Sequence, residues 1–119
     1  MSSRFFKTSE TSGINVIELS LPTMLDAAEF DELNQSMLSA IDSNSGGKWI
    51  LDLTAASYMG SAMLGLMVNM RQHVVQGSGK LVLCCLSPRL MEVFRACSLE
   101  RLFTIATGRD EALAALGRR

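Results

Sequence analysis

The chain has 119 residues, a formal net charge of −1, 48% hydrophobic and 19% charged residues. That length suits one domain around a single core over residues 1–119, and the apolar content excludes intrinsic disorder. A nearly neutral chain with no basic cluster interleaved with aromatics does not attract nucleic acid, and no apolar run reaches the roughly 18 residues that direct membrane insertion requires.

The first residues, Met1 to Lys7, lack the charged-then-apolar order of a signal peptide, so a cytoplasmic protein is expected. Phe5 to Leu21 predicts two strands joined at Thr11, Ser12 and Gly13; Ile17, Leu19 and Leu21 alternate with Glu18 and Ser20, and Pro22 ends the second strand. A helix follows from about Ala27, with Phe30, Leu33, Met37 and Ile41 on one stripe. Asp26 precedes it and Glu29 stands three residues later, close to a capping box with aspartate as the cap. Asp42 to Gly47 is a turn cluster of small polar and glycine residues.

Lys48 to Leu53 is a short apolar run of the kind produced by a strand covered on both faces, with Asp52 as the one charge at its end. Hydrogen bonding to the turn backbone is favoured for Asp52 over membership of an acidic site at the strand ends. Met63, Leu66, Met67, Met70 and Val74 then recur at helical spacing, opposite Asn69, Arg71, Gln72, His73 and Gln76. A strand therefore delivers a helix N-terminus, whose unpaired N–H groups favour an anion, a phosphorylated side chain or an acidic partner. Ser61 sits there, with Ser57 nearby.

Gly77 to Gly79 offers that helix a left-handed glycine cap, and Lys80 to Leu86 supplies the next strand. Ser87 and Pro88 open a third helix with Leu90, Met91, Phe94 and Cys97 inward. Arg101 to Ile105 is expected as a last short strand. Thr107 to Asp110 then caps a closing helix with Ala112, Leu113 and Leu116 inward, and Gly117 to Arg119 fray. Strands alternating with helices argue for one helix-covered α/β sheet, mixed but mostly parallel, of about five strands with about four helices.

Asp52, Leu53, Thr54, Ser57, Tyr58, Met59, Ser61, Leu64, Gly65 and Leu66, followed in order by Gly79 to Leu83, Ser87, Pro88 and Leu99 to Phe103, resemble a STAS domain, the family of bacterial anti-sigma factor antagonists. The resemblance runs from about Ile14 to Leu116. It implies a regulatory protein-binding module that docks on an anti-sigma factor with a kinase-like fold and so releases a sigma factor. In the best-known members the central turn reads Asp-Ser-Ser-Gly or Asp-Ser-Thr-Gly, and its second hydroxyl residue is phosphorylated by the partner kinase. Here those positions are Gly60, Ser61, Ala62 and Met63, without the acid, the acceptor hydroxyl or the glycine.

Either Ser61 or Ser57 has taken over as acceptor, or the protein is unswitched and controlled by its abundance; the unswitched form is preferred because the acidic neighbour is missing too. The resemblance places the loop ending at Asp26 beside the turn, giving Asp26, Met59, Gly60, Ser61, Ala62 and Met63 as partner-binding residues, with capping and docking compatible roles for Asp26. An alternative within the family is an accessory subunit of a lipid-transport ABC complex or a stressosome-like scaffold, in which transporter or scaffold subunits are the partners.

Cys84, Cys85 and Cys97 show no zinc or redox spacing and are expected to be reduced core residues, with Cys84 and Cys85 on opposite faces of their strand; no metal or cofactor is expected. His73 is expected to be a solvated helix residue. Met63, Met67 and Met70 are read as core, although Met59 and Met63 flank the turn, where an exposed pair would offer apolar contact area. No GxGxxG, P-loop, HExxH or nucleophile-elbow motif is present, and an enzyme is not expected.

Overall fold

In the computed structural model, residues 4–21, 24–56 and 58–117 are described. The first two strands, β1 (Phe6–Thr11) and β2 (Ile14–Ser20), pair antiparallel, with Phe6 opposite Leu19 and Thr11 opposite Ile14. Ser12 and Gly13 between them take φ of 54° and 79°, the paired positive values of a turn whose twist matches that of the strands. After the hairpin come α1 (Ala27–Asp42), β3 (Lys48–Ala55), α2 (Ser61–Gln76), β4 (Lys80–Cys84), α3 (Pro88–Ala96), a 3-10 turn at Leu99–Arg101, β5 (Thr104–Ala106) and α4 (Arg109–Gly117). Pro22, expected to end β2, lies outside the described residues, as do the last two residues of the expected frayed end.

The strand order is β1-β2-β3-β4-β5, so β1 and β5 form the edges, and every pairing from β2 onward is parallel. Each crossover steps the same way through the sheet. Right-handed connection then puts α1, α2 and α3 on one face and leaves the other to α4. Two cores result. On the first face, Leu33, Met37 and Ile41 of α1, Met63, Leu66, Met67 and Met70 of α2, and Leu90 and Phe94 of α3 cover Ile17, Leu19, Leu51, Leu53 and Leu83. Phe94 meets Phe103 with ring centroids 5.9 Å apart, within the range of favourable tilted aromatic pairs. On the second face, Ala112 and Leu116 cover Ile14, Val16, Ile50, Val82 and Cys84. β3 is buried on both faces from Trp49 to Leu53, which explains its unbroken apolar run.

Four local expectations fail for identifiable reasons. β4 stops at Cys84 rather than Leu86 because Cys85 takes a left-handed φ of 66°, which turns the chain out of the ladder. α2 ends not on a left-handed glycine but with Ser78 at φ 64°; Gly77 stays at −83°. Its missing side chain serves another purpose, because a Cβ there would stand 2.5 Å from Ser45 Oγ. Cys97 is exposed, since α3 ends at Ala96 and Ser98, at φ 60°, diverts the chain into the 3-10 turn. That turn also delays β5, whose three residues begin at Thr104 rather than Arg101.

Candidate functional site

The chain leaves the carboxyl ends of β2 and β3 through two loops that each open a helix. At α1 the capping box is complete: Glu29 N–H donates to Asp26 Oδ1 at 2.8 Å, and Asp26 N–H donates to Glu29 Oε1 at 3.1 Å. Arg4 braces the same turn. Its guanidinium donates twice to Glu32 at 3.2 Å, lies 3.7 Å from Glu29 and stacks 4.8 Å above the Phe5 ring. At α2 the cap is Gly60, which offers no side-chain acceptor, and the first turn carries no acid. Its N-terminal N–H groups are thus left to solvent or to a ligand. A Cβ at Gly60 would meet nothing within 4 Å, so the position has room for an acidic side chain.

Between the two helix starts lies an open groove of about 400 Å³. Leu25, Asp26 and Phe30 line one side and Tyr58, Gly60 and Ala62 the other, with Met59 and Met63 between. Five of the six residues expected to bind a partner therefore border one cavity. Ser61 does not line it, standing exposed at the first position of α2. Ser57 lies outside the described residues.

Met59 and Met63 correct the idea of an exposed methionine pair. They are 2% and 5% accessible and belong to the first core, because helical periodicity carries Met63 inward with Met67 and Met70. Exposed apolar surface comes instead from Tyr58, at 59%, and Met24, at 82%, in the two loops. Neither was expected from the sequence to bind a partner, although Tyr58 belongs to the motif that carries the resemblance. The signal for Tyr58 was a lone tyrosine between a strand and a helix start, a residue type enriched at interfaces. Along the same helix, α2 presents small exposed residues at Ala62, on the groove's edge, and at Ser61 and Gly65.

Asp52 faces the opposite side of the sheet. Its Oδ1 accepts from Thr54 N–H at 2.9 Å and from Thr54 Oγ1 at 2.6 Å, as expected for a strand-end aspartate. Its Oδ2 accepts from Arg109, Nη2 at 2.6 Å and Nε at 3.2 Å. Burial pushes the carboxyl pKa up, but the Thr54 bonds and the guanidinium outweigh it and leave the group below its ordinary value. Arg109 is raised in turn, chiefly by its bond to Asp52. Burial, together with the Cys85 thiol, pushes the Cys84 thiol up to about 12. His73, expected to be merely solvated, pairs with Asp42 at the end of α1, Nδ1 to Oδ1 at 3.0 Å.

Among the described residues, no helix is long and apolar enough to cross a membrane. The STAS domain family model matches residues 6–112. A Bordetella bronchiseptica protein, BtrV, which carries the name of an anti-sigma factor antagonist, is 30% identical over 95 residues, covering 80% of this chain and 81% of that protein. The structure of a STAS domain anti-sigma factor antagonist protein from Planctomyces limnophilus superposes with a TM-score of 0.82 at 21% identity, covering 95% of this chain and 98% of that one. An anti-sigma factor antagonist from Mycobacterium paratuberculosis gives 0.79 at 17% identity, covering 99% and 100%. The mixed five-stranded sheet, its four helices and the ordered motifs from β3 to α4 thus belong to a member of the STAS domain family of anti-sigma factor antagonists.

Proposed function

We propose that the chain is an antagonist that occupies an anti-sigma factor with a kinase-like fold and by competition frees a sigma factor. The observation that carries this reading is the joining of the α1 cap and the turn before α2 around one groove. Leu25, Phe30 and the edges of Met59 and Met63 offer it an apolar floor, Tyr58 an amphipathic rim, and Asp26 a carboxylate beside a helix start. The small residues Ser61, Ala62 and Gly65 let a partner's backbone approach α2 closely.

Docking here is unswitched rather than phosphate-gated. Ala62, at the family's acceptor position, has no hydroxyl, and Gly60 supplies no acid beside it. Ser61 is exposed, but a phosphate there would add about two negative charges in front of the α2 N-terminus and obstruct the partner. Abundance then sets the fraction of anti-sigma factor occupied.

The test is recovery of bound proteins from the native host with wild type, Ala62→Glu and Ser61→Asp, identified by mass spectrometry that also reads phosphate on the bait. The recovered anti-sigma factor is then purified for a sigma-release assay. Retention by wild type, loss with Ala62→Glu and sigma release in the pure system are the expected results. Recovery of transporter or scaffold subunits instead would replace this reading with that of a fixed structural subunit. Stoichiometric phosphate on Ser61 would restore the switch.

A further inference from the structure

The parallel register aligns Glu18 with Asp52, Asp52 with Cys84 and Cys84 with Ala106, so the carboxyl ends of four strands form one row beneath the start of α4. In that row the ligand atoms of Asp52, Cys84 and Cys85 all lie within 4.8 Å of one another. Adjacent residues in a strand point to opposite faces, and the two cysteines were expected to do so. The left-handed φ of 66° at Cys85 reverses this, packing Cys85 against the same core as Cys84 and bringing its thiol to donate to Cys84 Sγ at 3.4 Å. The chain thereby forms a dithiol beside a carboxylate.

The geometry points to a binding site for a thiophilic divalent cation of the zinc type, held by Cys84 Sγ, Cys85 Sγ and Asp52 Oδ2. Two sulfurs at about 2.3 Å from a tetrahedral ion stand roughly 3.8 Å apart, so the pair has to open by only about 0.4 Å. Two sulfurs and one oxygen suit a borderline-soft ion better than magnesium or calcium, which take oxygen alone. With three protein ligands, the fourth position is left to water. Cys84 is buried and Cys85 half-buried, so the ion enters from the Cys85 side.

The surrounding charges allow this. All four lone-pair positions of the Asp52 carboxylate are used, two by Thr54 and two by Arg109. The ion replaces the longer Arg109 bond, from Nε at 3.2 Å, and Arg109 leans toward Glu18, whose Oε2 is already 3.5 Å away. The thiol protons leave to solvent as the two sulfurs ligate. Arg109 is the first residue of α4, so the ion bears on how that helix is held.

The experiment uses the full chain, reduced and freed of metal. Zn²⁺ is titrated in competition with a chromophoric chelator, and Cd²⁺ is titrated while its thiolate charge-transfer absorption is followed. One ion per chain, with the intensity of two thiolates, is expected. Cys85→Ser and Asp52→Asn each remove a ligand and should weaken binding by about tenfold or more, since loss of a ligand's hydrogen-bond partner alone costs that much, whereas Cys97→Ser leaves it unchanged. Cys85→Ser decides the matter even where Cys84→Ala fails to fold. Absence of saturable binding, retention in Cys85→Ser, loss in Cys97→Ser or the intensity of a single thiolate would each overturn the site.

Discussion

Arg109 Nη2 reaches Asp52 Oδ2 at 2.6 Å across 57 residues of sequence, clamping the first turn of α4 to the end of β3. Asp52 is the buried charged residue among those described, and removing its partner leaves a carboxylate short of donors. Arg109→Ala should therefore cost about 2 kcal/mol in urea unfolding, the usual scale for a hydrogen bond to a charged group. Arg109→Lys should recover part of that loss.

The same pair sets an acid limit on the metal-free protein. A carboxyl whose pKa is lower in the folded chain contributes stability that is fully present above its unfolded value of about 3.9 and is lost as pH falls through the folded value. Unfolding midpoints measured in chelator should decline below about pH 4. Asp52→Asn should be less stable at neutral pH and show a shallower acid decline.

Capping and docking by Asp26 separate in two substitutions. Asparagine caps about as well as aspartate, so Asp26→Asn should hold stability, while Asp26→Ala should lose about 1 kcal/mol. If the carboxylate contacts the anti-sigma factor, both variants bind it more weakly. Thermal melts and affinity measured side by side distinguish the roles.

Two glycines at the end of α2 differ in what they face. A Cβ on Gly79 would stand 2.5 Å from the backbone oxygen of Gly47, whereas one on Gly77 meets first the Ser45 hydroxyl, which can rotate away, and then the backbone nitrogen of Gly46 only at 3.2 Å. Gly79→Ala should destabilise by about 2 kcal/mol through overpacking, and Gly77→Ala by clearly less. Urea midpoints of the two variants give the comparison.

Gly65 lies exposed inside α2, and a Cβ there would meet nothing within 4 Å. Gly65→Ala should stabilise the free protein by about 0.5–1 kcal/mol, the difference in helix propensity. A gain in melting temperature accompanied by weaker anti-sigma binding would place the partner on this face.

Periodicity and capping chemistry made the element order and most of the first core readable in advance. Asp26 with Glu29, the stripe from Met63 to Val74, and Ser87 with Pro88 each declare a helix within a few residues. Cys85, Ser78 and Ser98 escaped because each has a positive φ that carries no sequence marker in a residue other than glycine. The groove's residues were identifiable, and periodicity marked Met63 as core, but the burial of Met59 depended on how the loop before α2 folds over the sheet end. Arg109 looked like part of a helix cap. Its meeting with Asp52 is made by the packing of α4 on the sheet, and that of Asp52 with Cys84 by parallel strand register, neither of which local spacing encodes.

The sheet ends in β1 on one side, where Lys7 and Glu10 are exposed, and in the three-residue β5 on the other. Charges and brevity are how natural edges discourage pairing with another chain. Neither border provides a long, flat, apolar template, so strand addition and fibril-like growth are disfavoured at both. Under the proposed function, in which abundance sets the fraction of partner occupied, this matters, because the chain's concentration can rise without its own sheet becoming a seed for aggregation.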